Sequence, residues 1–217
     1  MVPRCDCPSW ALLARAYHGF GGTSPFRCTH DRRSVDWLRT LVRMTTEREV
    51  LALHPMADDP EVGRWLSALE DGRRDTLKEL AGVTPEMVDW YPDGPVNSIG
   101  TLLYHIALIE ADWVATEMLG LDEPSELAAL LPWPDRVEVD HLSPADGLTV
   151  AAHVQRLDGV RAWVLEHLKP MTNEDFHRVR SFERYDAAPD WALHHVLQHE
   201  AEHRSHICWL RDTFAAR

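Results

Sequence analysis

Apolar side chains recur every three or four positions in four stretches of this chain, and the intervals between them are polar or rich in proline and glycine. The first stretch follows Asp58-Asp59-Pro60, an acidic cap with proline at the first helical position, and carries Val62, Trp65, Leu66, Leu69, Leu77 and Leu80 up to Gly82. The second begins at Asn97 or Ser98 and runs to Gly120, with Ile99, Leu102, Leu103, Ile106, Ile109 and Trp113 on one face. The third opens at Pro144 or Thr149, bears Val150, Val154, Leu157, Val164 and Leu168, and stops before Pro170. The fourth runs from Asp190 to Phe214 with Val196, Leu197, Ile207 and Leu210. Each is read as an amphipathic helix, and no alternating strand pattern competes with them. The fold class expected is all-α, a four-helix bundle. Trp65, Trp113, Trp163 and Trp209, one on each long helix, are expected to fill its core.

The connections are unequal. Thr84-Pro85-Glu86 starts a short helical turn, and residues 171–189 read as irregular or as a short hairpin. The link between the second and third helices is acidic and proline-containing, through Pro132-Trp133-Pro134, and longer than a bundle turn needs. Such length marks a functional loop.

Composition divides the chain. Residues 1–43 hold seven arginines against three aspartates, whereas residues 44–217 hold fifteen basic and thirty-two acidic side chains. Cys5, Cys7 and Cys28 are also in the first part, which is expected to be an extension, poorly ordered or the product of a start codon placed ahead of Met44. Together with His30 these cysteines imitate a zinc site, but the paired ligand spacing is missing. Residues 44–217 are the expected bundle domain, and their one cysteine, Cys208, fits a reducing cytoplasm. The overall charge of −13 argues against nucleic acid or an acidic membrane as partner. No apolar run is long enough to span a bilayer.

The chemistry concentrates in residues 194–206, HHVLQHEAEHRSH, which hold five of the thirteen histidines. On a helix His195, His199, His203 and His206 fall within an arc of about 80°. His199 and His203 are one turn apart, so both imidazoles can reach one ion. His105, set among Leu102 and Ile109 on the second helix, supplies a third imidazole from a facing element. Three imidazoles leave a coordination position open, the pattern of a catalytic rather than a structural site. His195 or His206 could close it as a fourth ligand. For the carboxylates the reading is plainer: Glu200 and Glu202 solvated, Glu110 toward a neighbouring helix, Asp112 on a cavity wall, with Tyr104 and Trp191 as further pocket candidates.

Two family patterns compete for this stretch. His199-Glu200-Ala201-Glu202-His203 spells H-E-x-x-H, in which the glutamate serves a zinc protease as general base. The extended third-ligand pattern and a substrate-binding strand are both missing here. Asn97-Ser98-Ile99-Gly100-Thr101-Leu102-Leu103-Tyr104-His105-Ile106, taken with Trp191 to Arg211, instead resembles the DinB-like superfamily of metal-binding four-helix bundles, over roughly residues 55–215. That resemblance implies His105, His199 and His203 as metal ligands, and histidine ligands suit zinc, nickel and iron alike. It also implies a small-molecule substrate and permits a homodimer. Relatives include enzymes that use a low-molecular-weight thiol such as mycothiol. The function expected is thus a metal-dependent enzyme activating a small thiol for transfer or isomerisation. The alternatives are a hydrolase working through metal-bound hydroxide, and a non-catalytic metal-binding stress protein. Where many relatives have Arg-Gly-Gln after the last ligand, this chain has Arg204-Ser205-His206.

Overall fold

The computed structural model describes residues 50–93, 97–121, 124–138 and 141–217. The extension expected over residues 1–43, with its cysteines, lies outside the described residues. Four long helices carry the fold: α1 (Pro60–Glu79), α3 (Ile99–Trp113), α4 (Val150–Leu168) and α6 (Pro189–Ala215). Between them lie the short helices α2 (Pro85–Val88) and α5 (Asn173–Phe176), and two small antiparallel hairpins. One hairpin pairs β1 (Arg136–Glu138) with β2 (His141–Leu142); the other pairs β3 (Arg180–Ser181) with β4 (Asp186–Ala187). The second lies in 171–189, read from the sequence as irregular or as a short hairpin, which also holds α5. The first, inside the long connection, was not foreseen. Among the described residues no helix is long and apolar enough to cross a membrane.

Local chemistry sets the helix starts. Asp59 accepts hydrogen bonds from the amides of Glu61 (2.9 Å) and Val62 (3.2 Å), and Pro60 occupies the first turn. Ser98 caps α3 through the Thr101 amide at 3.1 Å, and Thr149 caps α4 through the Ala152 amide at 3.1 Å. α3 is apolar nearly all round, and Ile99 to Ala107 are all buried. It packs against both α4 and α6, while α1 packs on α6.

The second helix does not stay α-helical to Gly120, as its sequence suggests. It widens to a π-helical segment over Val114–Leu119. The Thr116 hydroxyl donates to the Asp112 carbonyl at 2.7 Å, a back-bond that loosens a helical turn. Gly120, at φ +66°, then closes it from the left-handed region.

The core also differs from expectation in its tryptophans. Trp163 is buried, Trp65 and Trp113 are partly so, and Trp209 is 50 % exposed. Trp209 follows Cys208 on the flank of the stripe formed by Ile207 and Leu210, which do reach the core. An ionic cluster lies within the bundle. Arg73 of α1 bonds Glu110 of α3 at 2.6 Å, Glu200 of α6 at 2.8 Å, and the Leu157 carbonyl of α4 at 3.1 Å. Arg161 of α4 bonds Glu110, Glu70 of α1 at 2.8 Å, and Glu200 at 3.4 Å. Burial opposes the charge on Glu110, but Arg161 and Arg73 outweigh it and hold the carboxyl below its usual range. Glu200, read as solvated, is only 3 % exposed. Glu110 meets its neighbours as expected.

Candidate metal centre

Three histidines from two helices meet at one end of a cavity. The apolar stripe of α3 that packs on α6 carries His105, which is 6 % exposed. α6 contributes His199 and His203 one turn apart. Nε2 of His199 lies 3.0 Å from Nε2 of His105 and 3.1 Å from Nε2 of His203. One ligand atom from each of the three falls within 4.8 Å of the others, so the cluster could hold a metal ion. Tetrahedral imidazole ligands at metal–nitrogen distances of about 2.0–2.1 Å stand about 3.3 Å apart, close to these separations.

The rings are prepared for that use. Nδ1 of His105 lies 2.6 Å from Oδ1 of Asp135, which fixes the proton on Nδ1 and turns the Nε2 lone pair toward the other two rings. His206 stands beside His203, with their Nδ1 atoms 3.4 Å apart. Burial lowers the affinity of His199 for a proton, and the neighbouring imidazoles lower it further, to about 3. Burial acts likewise on His203, with His105 and His206 adding to it, to about 4. Burial also lowers His105, partly offset by Asp135. All three are neutral at pH 7, the form in which imidazole coordinates a metal.

Asp135 was missed in the sequence because it sits thirty residues from His105 in an aperiodic connection. The connection is held in place by Tyr104, the neighbour of His105. The Tyr104 hydroxyl donates to the Trp133 carbonyl at 2.5 Å and accepts from the Trp133 amide at 2.8 Å. Arg156 of α4 adds a bond to the Leu130 carbonyl at 2.7 Å, its guanidinium lying over the Tyr104 ring at 5.0 Å. Leu130 lies over α4 at Gly159, where an added Cβ would come within 2.6 Å of its Cδ1 and push that side chain aside. The length of this link thus serves to deliver one carboxylate to one imidazole.

The cavity holding the three histidines has a volume of about 380 Å³ and is also lined by Ile109, Trp113, Asp135, Arg136, Leu142 and His195. His195 joins the wall rather than the cluster, with its ring centroid 4.1 Å from Trp113 and 5.6 Å from Trp191. Asp112 lines a separate cavity of about 720 Å³ under the connection, not the histidine pocket. Tyr104 is buried behind the site as a pin, and Trp191, 51 % exposed, packs beside Trp113 and His195 without lining the pocket. Glu200, the glutamate of H-E-x-x-H, points away into the Arg73 and Arg161 guanidiniums, so a protease's general base is missing from the pocket. Glu202 is exposed, as expected.

No curated protein matches this chain. The sequence profile of the DinB superfamily matches residues 68–207, a span that begins within α1 and takes in His105, Asp135, His199 and His203. With four packed helices and a histidine cluster between the second and the last of them, the chain belongs to the DinB superfamily.

Proposed function

We propose that this protein is a divalent-metal-dependent enzyme in which His105, His199 and His203 hold the ion and a small thiol is activated for transfer to an electrophile or for isomerisation. The observation that carries this reading is the convergence of three neutral Nε2 atoms, 3.0–3.1 Å between neighbours, at the end of a cavity large enough for a substrate. A bound zinc, nickel or iron(II) ion supplies Lewis acidity that brings a thiol or water within its reach toward ionisation near neutral pH. The chain supplies the rest. Asp135 orients His105, burial keeps the imidazoles uncharged, and Ile109, Trp113 and Leu142 make the cavity partly dry. Three protein ligands would leave a tetrahedral ion one position for substrate, the pattern of a catalytic rather than a closed structural site. A homodimer belongs to the same proposal, as an expectation carried from the family.

The test is direct. Protein loaded in turn with zinc, nickel and iron(II) is mixed with mycothiol and 1-chloro-2,4-dinitrobenzene, and thiol consumption is followed beside the His105→Ala variant. The expected result is a rate that depends on the metal and is lost in the variant. A rate equal to that of the variant with every metal overturns the reading. Turnover of activated esters or amides without thiol would assign the site to hydrolysis instead.

A further inference from the structure

The larger cavity lies back to back with the histidine pocket across the connection. Trp133 and Pro134 line it, whereas the next two residues, Asp135 and Arg136, line the histidine pocket. Its volume is about 720 Å³, and its floor is buried and apolar: Ala111 and Ala115 on the helical side, Leu127 on the side of the connection. Small side chains at 111 and 115 leave the space open. Leu121 and Trp133 stand at the rim, 45 % and 36 % exposed, so an occupant enters from solvent and covers them. The helical wall from Asp112 to Thr116 is where α3 gives way to the π-helical segment, a geometry that recurs at functional sites.

Charge at this cavity has one sign. Every described lining residue falls between Leu108 and Pro134, a stretch with six carboxylates and no lysine, arginine or histidine. Glu110 turns inward to Arg73 and Arg161; the other five are Asp112, Glu117, Asp122, Glu123 and Glu126. Asp112 brings its charge into the lining itself. The field reaches Tyr185, whose hydroxyl donates to Glu117 at 2.7 Å. That bond, with burial and the charges of Glu117 and Asp112 adding to it, pushes the phenol up to about 12. Arg156 approaches Trp133 from α4, 5.8 Å from the ring, and is outside the lining. A concave apolar wall bearing one sign of charge concentrates ions of the other sign.

We infer that this cavity is a binding site for an organic cation, an amine with an apolar body. The ammonium lies toward Asp112, and the body lies over Ala111, Ala115 and Leu127 and against Trp133. The volume suits a molecule of that kind, and an apolar lining with few polar groups is the usual make-up of such a site. The wall selects the body by the area it removes from water, and the carboxylate selects the charge. The inference does not rest on the metal reading, since no lining residue is among the three histidines.

The experiment titrates the full chain by calorimetry at pH 7.5 with octylamine, butylamine, octanol and octanoate. Octylamine is expected to bind about fivefold tighter than octanol, and tighter still than octanoate. Each methylene between butylamine and octylamine should add about two- to fourfold. Asp112→Asn, at an exposed position, should cut the preference for amine over alcohol to under about twofold, and added salt should act in the same direction. Ala128→Trp, also exposed, places an indole in the cavity and should abolish binding of octylamine; Leu121→Arg, which sets a cation at the rim, serves should that variant fold badly. Octanol or octanoate bound as tightly as octylamine overturns the inference. So does octylamine binding that survives both blocking variants, which would be adsorption to an acidic surface, and so does the lack of saturable binding. Light scattering supplies one further outcome. A dimer split by Ala128→Trp, with no octylamine bound by the wild type, assigns the groove to a second copy of the chain and overturns the inference.

Discussion

Replacing Asp135 isolates the contribution of a single carboxylate to the metal centre. In the folded chain its Oδ1 is 2.6 Å from Nδ1 of His105, and its side chain is 30 % exposed. Asp135→Ala removes the acceptor, so His105 loses both its fixed tautomer and the negative charge behind its ring. Loss of such a partner weakens metal binding by about 10–100-fold, or roughly 1.4–2.8 kcal/mol. Partial exposure places the expected loss toward the lower half of that range, since water replaces part of the field. Asp135→Asn is the graded case. Its amide oxygen can still accept from Nδ1–H, and a neutral hydrogen bond has about half the strength of a charge-assisted one. About half of the logarithmic loss should therefore return. The fold itself should be indifferent, because the backbone carbonyl of Asp135, which accepts from the Ser143 amide at 2.9 Å, survives both changes. Zinc affinity is measured by competition with a chromophoric chelator, beside His105→Ala as the null site. If Asp135→Ala binds zinc within twofold of wild type while His105→Ala does not bind it, the carboxylate has no part in tuning the site and the argument fails.

Two other measurements bear on the fold and on the site. Arg73→Met leaves Glu110 and Glu200 buried with one guanidinium between them, and should destabilise the domain by about 3–5 kcal/mol; for a domain of this size that is a drop of roughly 6–20 °C in Tm by calorimetry, and a drop under about 3 °C would show the cluster to be dispensable. Protons compete with metal for imidazole, so affinity is kept above the folded pKa and lost as pH falls through it; with His199 held at about 3, His203 at about 4 and His105 lowered by burial, the decline in zinc affinity should begin below the range of free imidazoles, whereas a steep decline beginning near 6.5 would mean that the rings titrate as free histidines.

The helices and the His199–His203 pair were legible because each is a periodic signal, and the caps Asp59, Ser98 and Thr149 because each is a local one. A stripe repeats, and ligands one turn apart announce themselves. What escaped lacks a period. Asp135 is delivered by a pinned, irregular connection, and nothing local marks it as the partner of a histidine thirty residues away. Glu200 sits in a run, His-Glu-Ala-Glu-His, that reads as a polar face; its burial depends on arginines from α1 and α4. A signal for that cluster did exist. Arg73 falls on the buried stripe of α1 with Val62, Leu66 and Leu69, where a lone cation demands buried anions. Trp209 was misplaced because tryptophan's size suggests a core role, whereas its angular position sends it outward.

The cluster of Arg73, Glu110, Arg161 and Glu200 draws one member from each long helix, and this bears on how the molecule tolerates change. Sliding any helix by one turn, about 5.4 Å, would keep oily stripes in contact but strand a charge without its mate. Alignment of the four rods is thus enforced from the interior, on the side of α6 turned away from the histidines. Of the pocket wall, Trp113 and Leu142 also pack on the apolar core, whereas Arg136 stands outside it; exchanging Arg136 would alter the pocket while the interior alignment of the four rods stays locked.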